Sequence, residues 1–106
     1  MKVVAHHWLV LVTVPDRKTQ EKLAATLLEE KLAACVSAFP VFSRYRWKGK
    51  IERAAELQLF IKTSAPIEKL KRRISELHPY EVPEILAFEA KKGLDGYLAW
   101  MRRESS

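Results

Sequence analysis

The sequence predicts an α+β fold in the order β-α-β-β-α-β, closed by a short terminal helix. Three observations lead there. A valine-rich run, Trp8 to Val14, stops at a proline. Two long segments with strand character flank the turn Lys48-Gly49-Lys50. Two stretches with apolar residues at helical spacing separate the strand segments. The 106 residues suffice for one compact domain over residues 1–106 and are too few for two. Hydrophobic residues make up 48% and charged residues 30%, the balance of a globular rather than a disordered chain.

Trp8 to Val14 is nearly all apolar, as expected of a strand buried on both faces. The whole N-terminal stretch from Met1 reads as strand rather than signal peptide, because His6 and His7 interrupt the apolar run and no small-residue cleavage site follows. Asp16 is placed to cap the first helix, whose apolar stripe is Leu23, Ala24, Leu27 and Leu28. Ala33 to Trp47 reads as a long strand, with a bulge or bend expected at Pro40, which cannot donate to a ladder. Lys48-Gly49-Lys50 is a hairpin turn. Ile51 to Thr63 returns as a strand in which Leu57, Leu59 and Ile61 alternate with Gln58, Phe60 and Lys62. Ser64 and Pro66 open a second helix, the proline in its first turn, with the stripe Ile67, Leu70, Ile74 and Leu77. The connector His78-Pro79-Tyr80-Glu81-Val82-Pro83-Glu84-Ile85 follows and leads into a fourth strand, Glu84 to Ala90. Gly93 breaks the chain before a terminal helix from Leu94 to Arg103.

This order is the split βαβ, or ferredoxin-like, arrangement. Right-handed crossovers place both main helices on one face of an antiparallel sheet. The other face is left open, yet its strands carry apolar and aromatic residues on both sides, Phe60 among them. A large exposed apolar face usually marks an interface. The hairpin strands are longer than the outer ones, so the hairpin projects and offers unpaired edges. Both points predict a homo-oligomer, with Tyr45, Trp47 and Phe60 as interface anchors.

Composition excludes several classes. One cysteine, Cys35, rules out a disulfide within the chain and points to a reducing compartment. No apolar run is long enough to span a bilayer, so no membrane partner is expected. The net charge of +6 is moderate and spread with both signs. Lys69, Lys71, Arg72 and Arg73 cluster on the second helix, but Glu68 and Glu76 share it and no stacking aromatics intervene, so no nucleic-acid partner is expected. The chain has no asparagine and only Gln20 and Gln58 as side-chain amides, a composition that suits a thermophilic source and a thermostable fold.

Cys35 reads as a soft metal ligand or, from position alone, more readily as a small buried hydrophobe. His78 is a helix-end cation or an imidazole ligand whose reach Pro79 fixes. Glu81 and Glu84 add carboxylates beside it. Tyr45, Trp47, Tyr97 and Trp100 could stack a planar ligand or anchor an interface. No zinc-type array is present.

Leu32-Ala33-Ala34-Cys35-Val36, Tyr45-Arg46-Trp47-Lys48-Gly49-Lys50-Ile51, Ile61-Lys62-Thr63, the His78–Ile85 connector and Tyr97-Leu98-Ala99-Trp100 occur in this order. Together they resemble the CutA family of divalent-cation tolerance proteins, over Leu9 to Met101. The resemblance implies a very stable ferredoxin-like homotrimer in the cytoplasm that binds copper or another divalent ion without being an enzyme. By the family motif Cys35 and His78 are the metal-site candidates; Glu84 is added from its place in the connector. The chain departs from the family pattern in Ser37 after the cysteine-valine pair, in the diluted acidic run Glu52 to Glu56, and in Gly93-Leu94. These changes remove amides and carboxylates and bear on metal affinity. A second reading is a trimeric signalling module resembling PII proteins, with an anionic small molecule held between protomers by Arg46, Lys62 and the nearby aromatics Tyr97 and Trp100. An enzyme built on His78 and Glu81 ranks last, since no activated nucleophile or base–orienter pair is readable.

Overall fold

The computed structural model describes residues 4–106. The part of the N-terminal strand reading that falls on Met1, Lys2 and Val3 lies outside the described residues. Seven elements follow in order: β1 (Trp8–Val14), α1 (Arg17–Glu29), β2 (Cys35–Trp47), β3 (Lys50–Thr63), α2 (Ile67–Leu77), β4 (Leu86–Glu89) and α3 (Asp95–Glu104). The strands form one antiparallel sheet in the order β2-β3-β1-β4, the predicted ferredoxin-like topology.

The register assigns every strand residue to a face. Val10, Val12 and Val14 of β1 stand beside Leu57, Leu59 and Ile61 of β3 through direct pairs. With Leu23 and Leu27 of α1 and Leu70 and Ile74 of α2 they make the buried core. Asp16 caps α1 as expected, its carboxylate accepting from the Thr19 N–H at 2.8 Å. That bond and the adjacent Lys18 charge hold the Asp16 carboxyl below the usual carboxylate range. The opposite face carries Leu9, Leu11 and Thr13 of β1, Phe39 and Val41 of β2, Phe60 of β3, and Leu86 and Phe88 of β4. No helix covers it. Phe39 and Phe60 meet edge-to-face with centroids 5.2 Å apart.

The β2–β3 hairpin gives the molecule its 50 Å long axis against 25 and 23 Å across. Its turn has two residues, with Lys48 at φ 49° and Gly49 at φ 80°. Paired positive φ angles match the right-handed twist of the flanking strands, and glycine adopts one of them without a Cβ clash. Phe42 lies beyond the reach of the helices and is 92% exposed.

The N-terminal strand begins only at Trp8 and is fully buried on one face rather than both, β2 begins at Cys35 rather than Ala33, and β3 begins at Lys50 rather than Ile51. Four further expectations need correction. The β2–β3 ladder runs from Cys35↔Lys62 to Trp47↔Lys50 with no inserted residue, so Pro40 makes no bulge. The reason is topological: β2 is an edge strand, where a residue without an N–H costs no ladder bond on the open side. Pro66 is the N-cap of α2 rather than a residue of its first turn, and no side chain caps that helix. The fourth strand spans Leu86–Glu89, shorter than Glu84 to Ala90. The terminal helix runs Asp95–Glu104, one residue later at each end. His6 and His7 precede β1: His6 pairs with Glu89 at 2.5 Å, and buried His7 accepts from Arg102 at 3.0 Å.

Candidate functional site

The connector passes from the end of α2 over the end of β1 toward the open face. Pro79 forces His78 out of the helical region, and His78 has φ −85° and ψ 135°. Its ring is 8% exposed and bonded on both sides. Nε2 donates to the Thr13 carbonyl at 2.7 Å, and Nδ1 accepts from the Tyr80 N–H at 3.1 Å. This pair of bonds requires the proton on Nε2. His78 therefore latches the connector to β1, and metal coordination at either nitrogen requires one of those bonds to break.

The latch delivers Tyr80. Its hydroxyl donates to the Glu56 carboxylate at 2.8 Å, and Glu56 is 6% exposed. Burial pushes the Tyr80 phenol well above the usual tyrosine range, and the Glu56 carboxylate adds to the shift. Two residues further along β3, the Gln58 amide donates to Glu84 at 2.9 Å and to the Val12 carbonyl at 3.2 Å. Glu56, Gln58, Thr13 and Tyr45 fall on the open face by their ladder positions. Around them lies a cleft of about 500 Å³, with an adjoining lobe of about 300 Å³ walled by Tyr45, Trp47 and Tyr80. At its rim the Lys48 ammonium lies 4.0 Å from Glu81 and 5.7 Å from the Trp47 ring centroid.

The metal candidates do not converge within one protomer. Glu84 is at the cleft through Gln58, whose ladder partner is Phe39; Cys35 pairs with Lys62, four rungs away. Four rungs are about 13 Å. Cys35 is a free, half-buried thiol on the open face, with Sγ 3.8 Å from the Ser37 hydroxyl. Among the described residues no group of three or more His, Cys, Asp or Glu side chains comes together in a metal-holding arrangement.

The small-molecule candidates are dispersed too. Arg46 pairs with Ile51 near the hairpin tip, whereas Lys62 is eleven rungs away at the other end of β3. Tyr97 and Trp100 touch each other on α3 at 5.4 Å. Of the interface candidates, Tyr45 and Trp47 wall the cleft and Phe60 sits mid-face. Sequence reasoning missed Glu56 and gave Gln58 no role. The available signal was a polar pair two residues apart, hence on one face, in a strand whose next same-face residue is Phe60.

Comparison with known proteins places this architecture. The profile described as CutA1 divalent ion tolerance protein matches residues 8–104. The divalent-cation tolerance protein CutA of Thermus thermophilus is 43% identical over 99 residues, covering 92% of this chain and 96% of that one. A chloroplastic CutA of Arabidopsis thaliana is 40% identical over 99 residues, and the match spans 54% of its length. The solved Thermus thermophilus structure superposes with a TM-score of 0.90 at 42% identity, covering 94% of this chain and 99% of that one. These names denote ion tolerance and no reaction, and they do not favour the PII-like reading. The chain belongs to the CutA1 divalent ion tolerance protein family.

Proposed function

We propose that the chain is a non-enzymatic homotrimer that binds divalent metal ions, copper in preference, and acts in the response to those ions. The observation that carries the assembly is the uncovered sheet face. Leu9, Leu11, Phe39, Phe60, Leu86 and Phe88 share it, and Phe88 is 53% exposed. Burying such a face against copies of itself removes apolar area from water at roughly 25 cal/mol per Å². The names of the relatives support metal binding, and Cys35 supplies the soft donor that copper favours. Since the donors of one protomer stay apart, coordination at Cys35 is completed by groups from another copy. His78 and Glu84 serve first as structural groups of the connector.

Self is the partner in this reading. On α2, Lys71 pairs with Glu68, and Arg73 pairs with Glu30 and Glu76, so half of that basic cluster is engaged within the chain. Among the described residues no helix is long and apolar enough to cross a membrane. A free half-buried thiol suits the reducing cytoplasm.

A thermal-shift screen tests the reading, because a ligand of the native state raises the midpoint. Copper at a hundred times its Kd should stabilise the protein by about 2.7 kcal/mol, and Cys35→Ser should abolish the shift. A midpoint raised by nucleotides and unmoved by copper contradicts it.

A further inference from the structure

We propose that the lobe between the connector and the hairpin is a binding site for a small quaternary ammonium ion. The inference goes beyond the metal and assembly readings above and does not rest on them. It starts from the lining. The lobe holds about 300 Å³ and is lined by Tyr45, Trp47, Pro79, Tyr80, Glu81 and Val82. Three of these six are aromatic, and among the described residues Glu81 is the one charged member of the lining. The face of an aromatic ring is negative, so rings grouped around one space attract a cation, and a carboxylate at the rim adds to the pull.

The chain's own Lys48 reports that attraction. Its ammonium lies over the Trp47 ring, 5.7 Å from the centroid, and 4.0 Å from the Glu81 carboxylate. Its side chain nevertheless stays 72% exposed, at the rim. A primary ammonium carries three N–H donors, and entering the lobe would strip water from them with Glu81 as the one anionic side chain to accept in return. A quaternary ammonium has no N–H to satisfy. Its charge is spread over methyl groups, which can pack on Pro79 and Val82 while they face the rings. The lining therefore selects an alkylated ammonium over a lysine-like one.

The walls are set before a ligand arrives. Tyr80 is held at both ends: its N–H donates to His78 Nδ1 at 3.1 Å and its hydroxyl to Glu56 at 2.8 Å. The His78 ring lies against the Tyr80 ring, with centroids 4.8 Å apart. Tyr45 and Trp47 stand two residues apart on β2 and so share one face, and Trp47 closes the ladder opposite Lys50. Walls fixed in this way leave little ordering to be done on binding. Tyr45 and Trp47 are also the interface anchors of the assembly reading, so the site is tested on the chain at concentrations where any assembly is present.

Titration of the full chain with tetramethylammonium chloride at constant ionic strength, followed by proton NMR, tests this. The Trp47 indole N–H should shift and saturate, and ring currents should move the ligand methyl signal upfield. tert-Butanol, neutral and of similar size, should bind about tenfold more weakly, because it lacks the cation–π attraction. Lys48→Gln removes the competing ammonium and should tighten tetramethylammonium binding by about twofold to fivefold, and Glu81→Gln should weaken it by a similar factor. Neither substitution replaces an aromatic wall, and far-UV circular dichroism checks that both variants fold. Equal binding of tetramethylammonium and tert-butanol overturns the proposal, as do shifts that never saturate or that are the same in both variants. A lobe filled by a neighbouring copy gives no shift at all, which overturns the site and leaves the trimer standing. Sedimentation equilibrium reads the trimer separately, so a monomer that binds tetramethylammonium overturns the assembly reading and supports this one.

Discussion

The imidazole of His78 donates from Nε2 to the carbonyl oxygen of Thr13 at 2.7 Å, across 65 residues of sequence. This bond closes the end of α2 onto the end of β1. Everything the connector contributes to the cleft hangs from it, because the same ring accepts the Tyr80 N–H.

Replacing His78 with alanine removes both bonds, and with them the ring as partner of a part-buried carbonyl and a part-buried N–H. The expected loss is about 1–3 kcal/mol for each group left unsatisfied. Urea unfolding should show it as a lower midpoint with an unchanged slope. Copper affinity measured by calorimetric titration should match the parent, since the ring is already engaged. A large copper defect with normal stability would return the histidine to the metal site.

Tyr80 makes stability depend on alkaline pH. Its folded-state value is raised, by burial first and by Glu56 second. A raised value favours the neutral phenol in the fold. Its contribution is therefore fully present below about pH 10, the unfolded tyrosine value. It is lost as pH rises through the folded value. Tyr80→Phe should lower stability between pH 7 and 9 and flatten the decline above pH 10. Parallel curves for parent and variant across that window would remove the role.

The α1–α2 tie reports at the acidic end. Arg73 holds both Glu30 oxygens, at 2.9 and 2.7 Å. That hydrogen bonding depresses the Glu30 carboxyl and raises the Arg73 guanidinium. A depressed carboxyl contributes above its unfolded value and loses that contribution as pH falls through the folded one. Arg73→Gln should thus be less stable than the parent at pH 7, and the gap should close toward pH 3. The gap should also narrow with salt, because the pair is near the surface.

Trp47, 38% exposed, is the anchor nearest the hairpin tip, pairing with Lys50. Trp47→Ala should weaken assembly by roughly 2–4 kcal/mol, read as a shift in dissociation concentration by light scattering. An unchanged oligomer with an unchanged melting midpoint would reduce Trp47 to a wall of the cleft.

Local signals made most of the fold legible. The near-continuous apolar run Trp8 to Val14 defined β1, the Lys48-Gly49-Lys50 turn fixed the hairpin, and the Leu70–Ile74 spacing located α2. Where reading failed, a distant partner decided. Pro40 sits in an unbroken ladder because β2 is an edge, a fact of topology rather than of neighbouring residues. β4 starts at Leu86 because its ladder with β1 ends at Leu11↔Leu86, a limit set by a distant strand. The open face was readable from the crossover rule, which sets both main helices on one side of the sheet. The cleft was not, since Glu56 and Tyr80 meet across 24 residues with no shared period. The connector attracted notice through its prolines, which showed that it was stiff without showing what it held.

Native mass spectrometry of untagged protein, with and without copper, tests the proposed metal-binding trimer. The expected result is a mass of three chains, 12.3 kDa each, carrying copper that disappears in Cys35→Ser while the three-chain mass remains. A single-chain mass at micromolar concentration, or a trimer that takes up no copper, would contradict it.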